Sequence, residues 1–192
     1  MPRPSLKNQR REEIVNAAMT CVARYGVSGL TLDKVADIAG LARPLIRHNI
    51  GNREQLIEAV TEHFVASSAD RMNELDAHLS RQSPLTTAID YLYSGQRSDT
   101  TLMLVAEALI AESANSDQIA TVMRNWLHDF VAQLSTLAAR EFPAAGKEKC
   151  EIVATGLTGI YFTVDSLGPI RGLKDFNYNA KLSALALLDQ LR

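Results

Sequence analysis

Apolar positions along this chain recur with helical spacing and almost never alternate with polar ones. Ile14, Ala17, Ala18, Cys21, Val22 and Tyr25 fall at i, i+3, i+4, i+7, i+8 and i+11, which puts them on one face of a helix predicted from Lys7 to Tyr25. Gly26 ends it, because glycine tolerates the left-handed backbone that closes a helix. Thr31 is a good N-cap for a short second helix through Val35, Ile38 and Ala39, which Gly40 ends in turn. A third short helix is predicted over Ala42 to His48. After the break at Gly51-Asn52, Asn52 followed by Gln55 reads as a capping box that opens a long helix reaching toward His78.

Further on, Ser83-Pro84 marks a helix start, with proline placed where its missing N–H costs least. Asp99 and Asp117 are plausible caps for two more helices, and Pro143 separates the next pair. The stretch from about Ala144 to Leu167 is apolar on one side through Ile152, Val153, Leu157, Ile160, Tyr161 and Val164. Leu182, Leu185, Leu188 and Leu191 stripe a last helix. With no alternating β-branched runs between tight-turn dipeptides, the predicted class is all-α with about nine helices.

The chain has 192 residues, 46% hydrophobic and 22% charged, which suits one globular unit or two small ones sharing a core. Cys21 and Cys150 lie far apart and match no metal-ligand spacing, so a reducing, cytoplasmic setting without a disulfide framework or zinc is expected. No apolar leader opens the chain, and the longest apolar run, Leu102 to Ala106, is far short of a membrane span. The formal net charge is −2, but it is unevenly spread. Residues 1 to 56 hold nine Lys/Arg against five Asp/Glu, a balance of +4, and the rest hold eleven against seventeen, a balance of −6. A basic head on an acidic body is what a polyanion-binding N-terminus would show. The expected division is a DNA-binding domain over residues 1–51, with a basic arm over 1–11, and a helical domain over 52–192.

The two short helices joined by a glycine turn have the proportions of a helix-turn-helix, whose second helix enters the major groove. From about Arg11 to Phe64 the residues resemble the tetracycline-repressor (TetR) family of transcriptional regulators. The resemblance rests on an alanine-rich first helix, the turn at Tyr25-Gly26, Leu30-Thr31 opening the second helix, and Val35-Ala36-Asp37-Ile38-Ala39-Gly40-Leu41. Ile50 and then Arg53-Glu54-Gln55-Leu56 are similar to the family's opening of the fourth helix. This chain departs from the family in the third helix, with Ala42 where a serine or threonine cap is usual and Arg47 where a tyrosine is usual. The resemblance implies a dimer, with the last two helices pairing with their twofold mates, and a small effector that tilts the fourth helix to release a palindromic operator. Repression is the implied sense of regulation.

In the third helix Leu41, Ile46 and Ile50 are expected to face the core, leaving Arg43, Pro44, Leu45, Arg47, His48 and Asn49 outward. An outward Leu-Pro pair can pack on thymine methyl groups while Arg43 and Asn49 bond base edges; the other phase of the helix would bury Leu45. Arg47 suits either a phosphate or a guanine edge. Thr31 and Arg53 are assigned to backbone phosphates, the first through its place at a helix N-terminus, and Ala42 completes the expected DNA-binding set. Arg3, Lys7, Arg10 and Arg11 form either a solvated tail or a sequence-blind DNA arm.

In the body, aromatic and sulfur side chains gather at Tyr91, Tyr93, Met103, Met123, Trp126, Phe130, Tyr161 and Phe162, with Glu107, Asp129 and Asp165 among them. The expected effector pocket is Tyr91, Met103, Glu107, Trp126, Phe130, Tyr161, Phe162 and Asp165, since small-molecule sites are apolar cavities with few polar groups. The expected dimer face is Ile152, Gly156, Gly159, Ile160, Leu182 and Leu185, the glycines allowing close approach. No enzyme motif is present, neither a phosphate loop, a GxSxG elbow nor HExxH, and no cofactor or metal is expected. His63 and His78, on one helix, would stand over ~20 Å apart at ~1.5 Å per residue, and Glu74 with His78 reads as an exposed i, i+4 pair. The competing reading is an all-helical protein-protein adaptor without DNA binding.

Overall fold

The computed structural model describes residues 6–94 and 100–192; Arg3 and the proposed cap Asp99 lie outside the described residues. Among these the chain forms α1 (Leu6–Tyr25), α2 (Leu32–Ala39), α3 (Arg43–Asn49), α4 (Arg53–Asp76), α5 (Pro84–Leu92), α6 (Thr100–Glu112), α7 (Asp117–Glu141), α8 (Lys147–Ser166) and α9 (Lys174–Leu187), then a 3-10 turn at Leu188–Leu191. The predicted all-α class therefore holds, and the nine helices fall close to their expected bounds. No described helix is long and apolar enough to cross a membrane.

Of the described residues, those up to Ser68 with Thr101–Met123 make one compact unit, and Ala69–Thr100 with Arg124–Arg192 make another. In the first unit α1 packs on α2 and α3, and α2 packs on α3. Its core takes Ile14, Ala18, Cys21 and Val22 from α1, together with Val35, Ile46, Leu56, Val60 and Phe64. Burying each large apolar side chain is worth about 1.5 to 3 kcal/mol. Tyr25 departs from its expected face: it is 51% exposed. Its ring lies under the Lys34 ammonium, 4.6 Å from the centroid, so the apolar stripe closes one turn before the helix does.

The helix ends follow local chemistry. Thr31 Oγ1 accepts from Lys34 N at 3.3 Å and caps α2, and Gly40 closes α2 at φ +65°. At α4 the capping box is reciprocal: Gln55 N donates to Asn52 Oδ1 at 2.9 Å and Asn52 N donates to Gln55 Oε1 at 3.0 Å. The start of α7 differs from expectation, because its cap is Ser116, whose Oγ accepts from Ile119 N at 3.3 Å, while Asp117 is the first helical residue.

In the second unit the core joins Leu75, Leu85, Ile89, Phe130, Leu134, Cys150, Val153, Leu157, Ala184, Leu188 and Leu191. The expected leucine stripe divides: Leu188 and Leu191 are buried, Leu185 is half-buried and Leu182 is exposed. Beyond the end of α4 at Asp76, the His78 ring sets Nδ1 2.7 Å from the Glu74 carbonyl and lies beside Tyr91 with centroids 5.4 Å apart.

Candidate nucleic-acid interface

The third helix is held by its apolar side. Ile46 is fully buried and Ile50 7% exposed, with Leu41 half-buried, as the helix phase predicts. Ala42, Arg43, Pro44, Arg47 and His48 are exposed on the other side, and Leu45 is half-buried between the two faces. Pro44 fits in the first turn, where an N–H would have no intrahelical partner. Ala42 stands at the cap position and makes no side-chain cap bond. Arg43 Nη1 lies 3.3 Å from Asp33 Oδ1, both side chains more than 60% exposed. An exposed ion pair of this kind is worth ~0 to 1 kcal/mol, so it leaves the guanidinium available.

Two residues of the expected set have hydrogen-bond partners within the chain. Asn49 is half-buried, and its amide nitrogen donates one of its two hydrogens to the Leu45 carbonyl at 2.8 Å, back along its own helix. Arg53, assigned to phosphate, is tied inside the unit: Nε donates to the Leu30 carbonyl at 2.9 Å and Nη2 to the Val27 carbonyl at 2.8 Å. Sequence spacing carries no signal for this bond, whose partners lie 26 and 23 residues earlier. Thr31 is half-buried at the α2 cap. Of the arm, Lys7 and Arg11 are exposed and Arg10 bonds Glu13 at 2.8 Å.

In the second unit the structure gathers part of the expected pocket set. Trp126 stacks on Phe162 with centroids 5.2 Å apart and planes 2° from parallel. Phe130 stacks on Tyr161 at 5.8 Å and meets Phe162 at 5.2 Å, and Tyr93 meets Tyr161 edge-on at 6.1 Å. Met103 and Glu107 belong to the other compact unit, so the two halves of that set are not one cluster within a unit, and Asp129 is exposed. Tyr93, outside the expected pocket set, has a buried hydroxyl without a hydrogen-bond partner among the described residues.

Burial pushes the Tyr161 phenol up to about 12, with the Asp165 carboxylate adding to the rise and the Arg71 guanidinium opposing it. Burial likewise pushes Tyr93 up, and Tyr161 adds to it. Because the unfolded phenol ionises near its ordinary value of 10, these tyrosines contribute stability that is complete below that pH and is lost as pH rises toward about 12. Denaturant midpoints measured across this range are therefore expected to fall, with a late fraction in the phenolate absorbance titration. A midpoint that holds level over the same range would contradict the buried phenols.

On α8 and α9 an apolar surface lies open. Ile152 is 64% exposed, Tyr178 63%, Leu182 46% and Phe176 41%. A shallow groove of ≈ 330 Å³ runs between the two helices, lined by Gly159, Ile160, Thr163, Phe176, Asn179, Ala180 and Ser183. The two glycines expected at an interface part company here. A Cβ on Gly156 would stand 3.0 Å from Leu187 Cδ1 of the same chain, whereas one on Gly159 would meet nothing within 4 Å.

No protein-family profile matches the chain. The HTH-type transcriptional regulator BetI of Vibrio vulnificus is 23% identical over 198 residues, covering 100% of this chain and 95% of the relative. BetI of Paraburkholderia xenovorans is 23% identical over 150 residues, covering 73% and 77%. Among solved structures, a TetR transcription regulator of Haloarcula marismortui superposes with TM-score 0.76 at 14% identity, covering 95% of this chain and 97% of the other. A chain from Mesorhizobium loti assigned to the TetR family gives 0.74 at 16% identity, covering 96% and 98%. At these identities the superpositions speak for the fold, and the Vibrio vulnificus relative is matched along the whole chain, beyond residue 64 where the family resemblance was read to end. In fold the chain matches solved regulators of the TetR family, and in sequence it is similar to HTH-type transcriptional regulators.

Proposed function

We propose that this protein is a transcriptional regulator of the TetR family that binds a palindromic DNA operator as a homodimer, acts in the cytoplasm as a repressor, and is released by a small-molecule effector. The observation that carries the DNA reading is the two-sided α3: Ile46 and Ile50 are locked in the core while Ala42, Arg43, Pro44, Arg47 and His48 are presented outward. That is the arrangement in which a short helix offers side chains to base edges and its neighbour braces the backbone. Thr31, Leu45 and Asn49 complete the assigned set, with Asn49 keeping its carbonyl oxygen and a second amide hydrogen beside the bond to Leu45. The basic charge of the head supplies the sequence-blind part of the attraction.

Dimerisation is assigned to the open face of α8 and α9, with Ile152, Gly159, Ile160, Leu182 and Leu185, since exposed apolar patches of this kind mark association surfaces. Gly156 supports it from inside by letting Leu187 seat closely. The effector is assigned to the aromatic cluster of Trp126, Phe130, Tyr161 and Phe162, with Tyr91, Tyr93 and Asp165 as its polar margin. The buried Tyr93 hydroxyl supports this, because an unpaired buried hydroxyl costs roughly 1 to 3 kcal/mol that a ligand acceptor would recover. Such a ligand must prefer the conformer that does not hold DNA, and DNA must then weaken the ligand by the same factor.

Selection of bound duplexes from a random DNA library, followed by a salt titration of the best binder, tests the reading. A palindromic consensus with a steep salt slope is expected; no enrichment with a flat slope would favour a protein-binding adaptor instead. Arg43→Ala is expected to weaken the selected duplex by ~1 to 3 kcal/mol and to relax preference at one base pair. Unchanged affinity and preference in that variant would remove Arg43 from the reading surface.

A further inference from the structure

The loop between α1 and α2 concentrates outward-pointing carbonyls, and two cations collect them. Gly29 is required there: a Cβ would stand 2.4 Å from the Tyr25 carbonyl oxygen. This tight turn leaves the Val27, Gly29 and Leu30 carbonyls to be satisfied. Leu30 N reaches Val27 O at 3.1 Å, Lys34 Nζ donates to Gly29 O at 3.0 Å, and Arg53 spans Leu30 O and Val27 O with its Nε and Nη2 edge. Arg53 is half-buried and is the first residue of α4. Leu30 directly precedes Thr31, the cap of α2.

We infer that Arg53 is a positioning residue for DNA binding: it bolts the first turn of α4 to the start of α2, and so sets where the helix-turn-helix stands, without holding DNA phosphate. The inference rests on the DNA reading above and deepens it. The planar guanidinium fork matches two carbonyls at fixed separation, which a lysine ammonium, a flexible point charge, cannot reproduce.

The test separates charge from geometry. The wild-type salt titration on the selected duplex comes first and judges the DNA reading by itself. Arg53→Gln and Arg53→Lys are then titrated on the same duplex, at a temperature where circular dichroism shows each variant folded. The expected result is a loss of about tenfold or more in affinity for both variants, with the wild-type salt slope retained and with lysine giving no rescue. A phosphate contact would behave otherwise: the glutamine variant would lower the slope by about 0.9, and lysine would restore both slope and affinity. Either of those results, or wild-type affinity in both variants, overturns the inference.

Discussion

Ile152→Glu combined with Leu182→Glu is expected to yield a folded monomer that has lost about 100-fold or more of its operator affinity. The two side chains are 64% and 46% exposed in the single chain, so charging them removes little internal packing, and the melting temperature of the unit is expected to change little. If the α8 and α9 face joins two copies, four new carboxylates meet across a twofold interface, where like charges without partners are strongly unfavourable. Two linked heads bind a palindrome with a gain over one head of ~10² to 10⁴, and that gain disappears with the dimer. Sedimentation and duplex titration of the same samples read both effects. A variant that remains dimeric with full operator affinity would move the interface elsewhere.

What was legible in the sequence is what local chemistry decides. The cap at Thr31, the capping box at Asn52 and Gln55, and the left-handed stops at Gly26 and Gly40 each depend on residues within one turn of one another. All four appear where the spacing placed them. The inward phase of α3 was equally legible, since Ile46 and Ile50 lie one turn apart and nothing else in the segment is large and apolar on that side. The family resemblance could be read for the same reason, being carried by this short stretch of local signals.

What was not legible depends on partners distant in sequence or on a choice between neighbours. Nothing around Arg53 tells that its guanidinium meets carbonyls of the α1–α2 turn. Ser116 and Asp117 are both good caps, and only the backbone path selects the serine. Asn49 carried a readable sign, because a short amide at the end of a helix commonly bonds the carbonyl four residues back. In the second unit, composition announced a group of aromatic residues, but Tyr93 enters it through contact with Tyr161 on another helix, while Met103 and Glu107 fall in the first unit. Periodicity gives the buried face of each helix and is silent on which faces meet.

Glu141→Ala is expected to cost about 2 to 4 kcal/mol of stability, although the residue sits at the last position of α7. Its carboxylate closes the N-terminus of α5 from a distance of 55 and 56 residues. Oε2 accepts from Leu85 N at 2.7 Å and Thr86 N at 3.0 Å, and Oε1 accepts from Thr86 Oγ1 at 2.6 Å. The local cap fails here, since Ser83 makes no side-chain cap bond, so removing the carboxylate leaves these donors at a helix start whose Pro84 and Leu85 are buried. Hydrogen bonds to a charged group contribute ~1.5 to 3 kcal/mol, and an unsatisfied buried donor adds its desolvation cost. Glu141→Gln keeps the shape, accepts through one oxygen only and is expected to lose about half as much. A fall in melting temperature of ~2 to 4 °C per kcal/mol makes the difference measurable. Equal loss in both variants would assign the effect to charge at the helix dipole, and no loss in either would show that α5 is closed by other means.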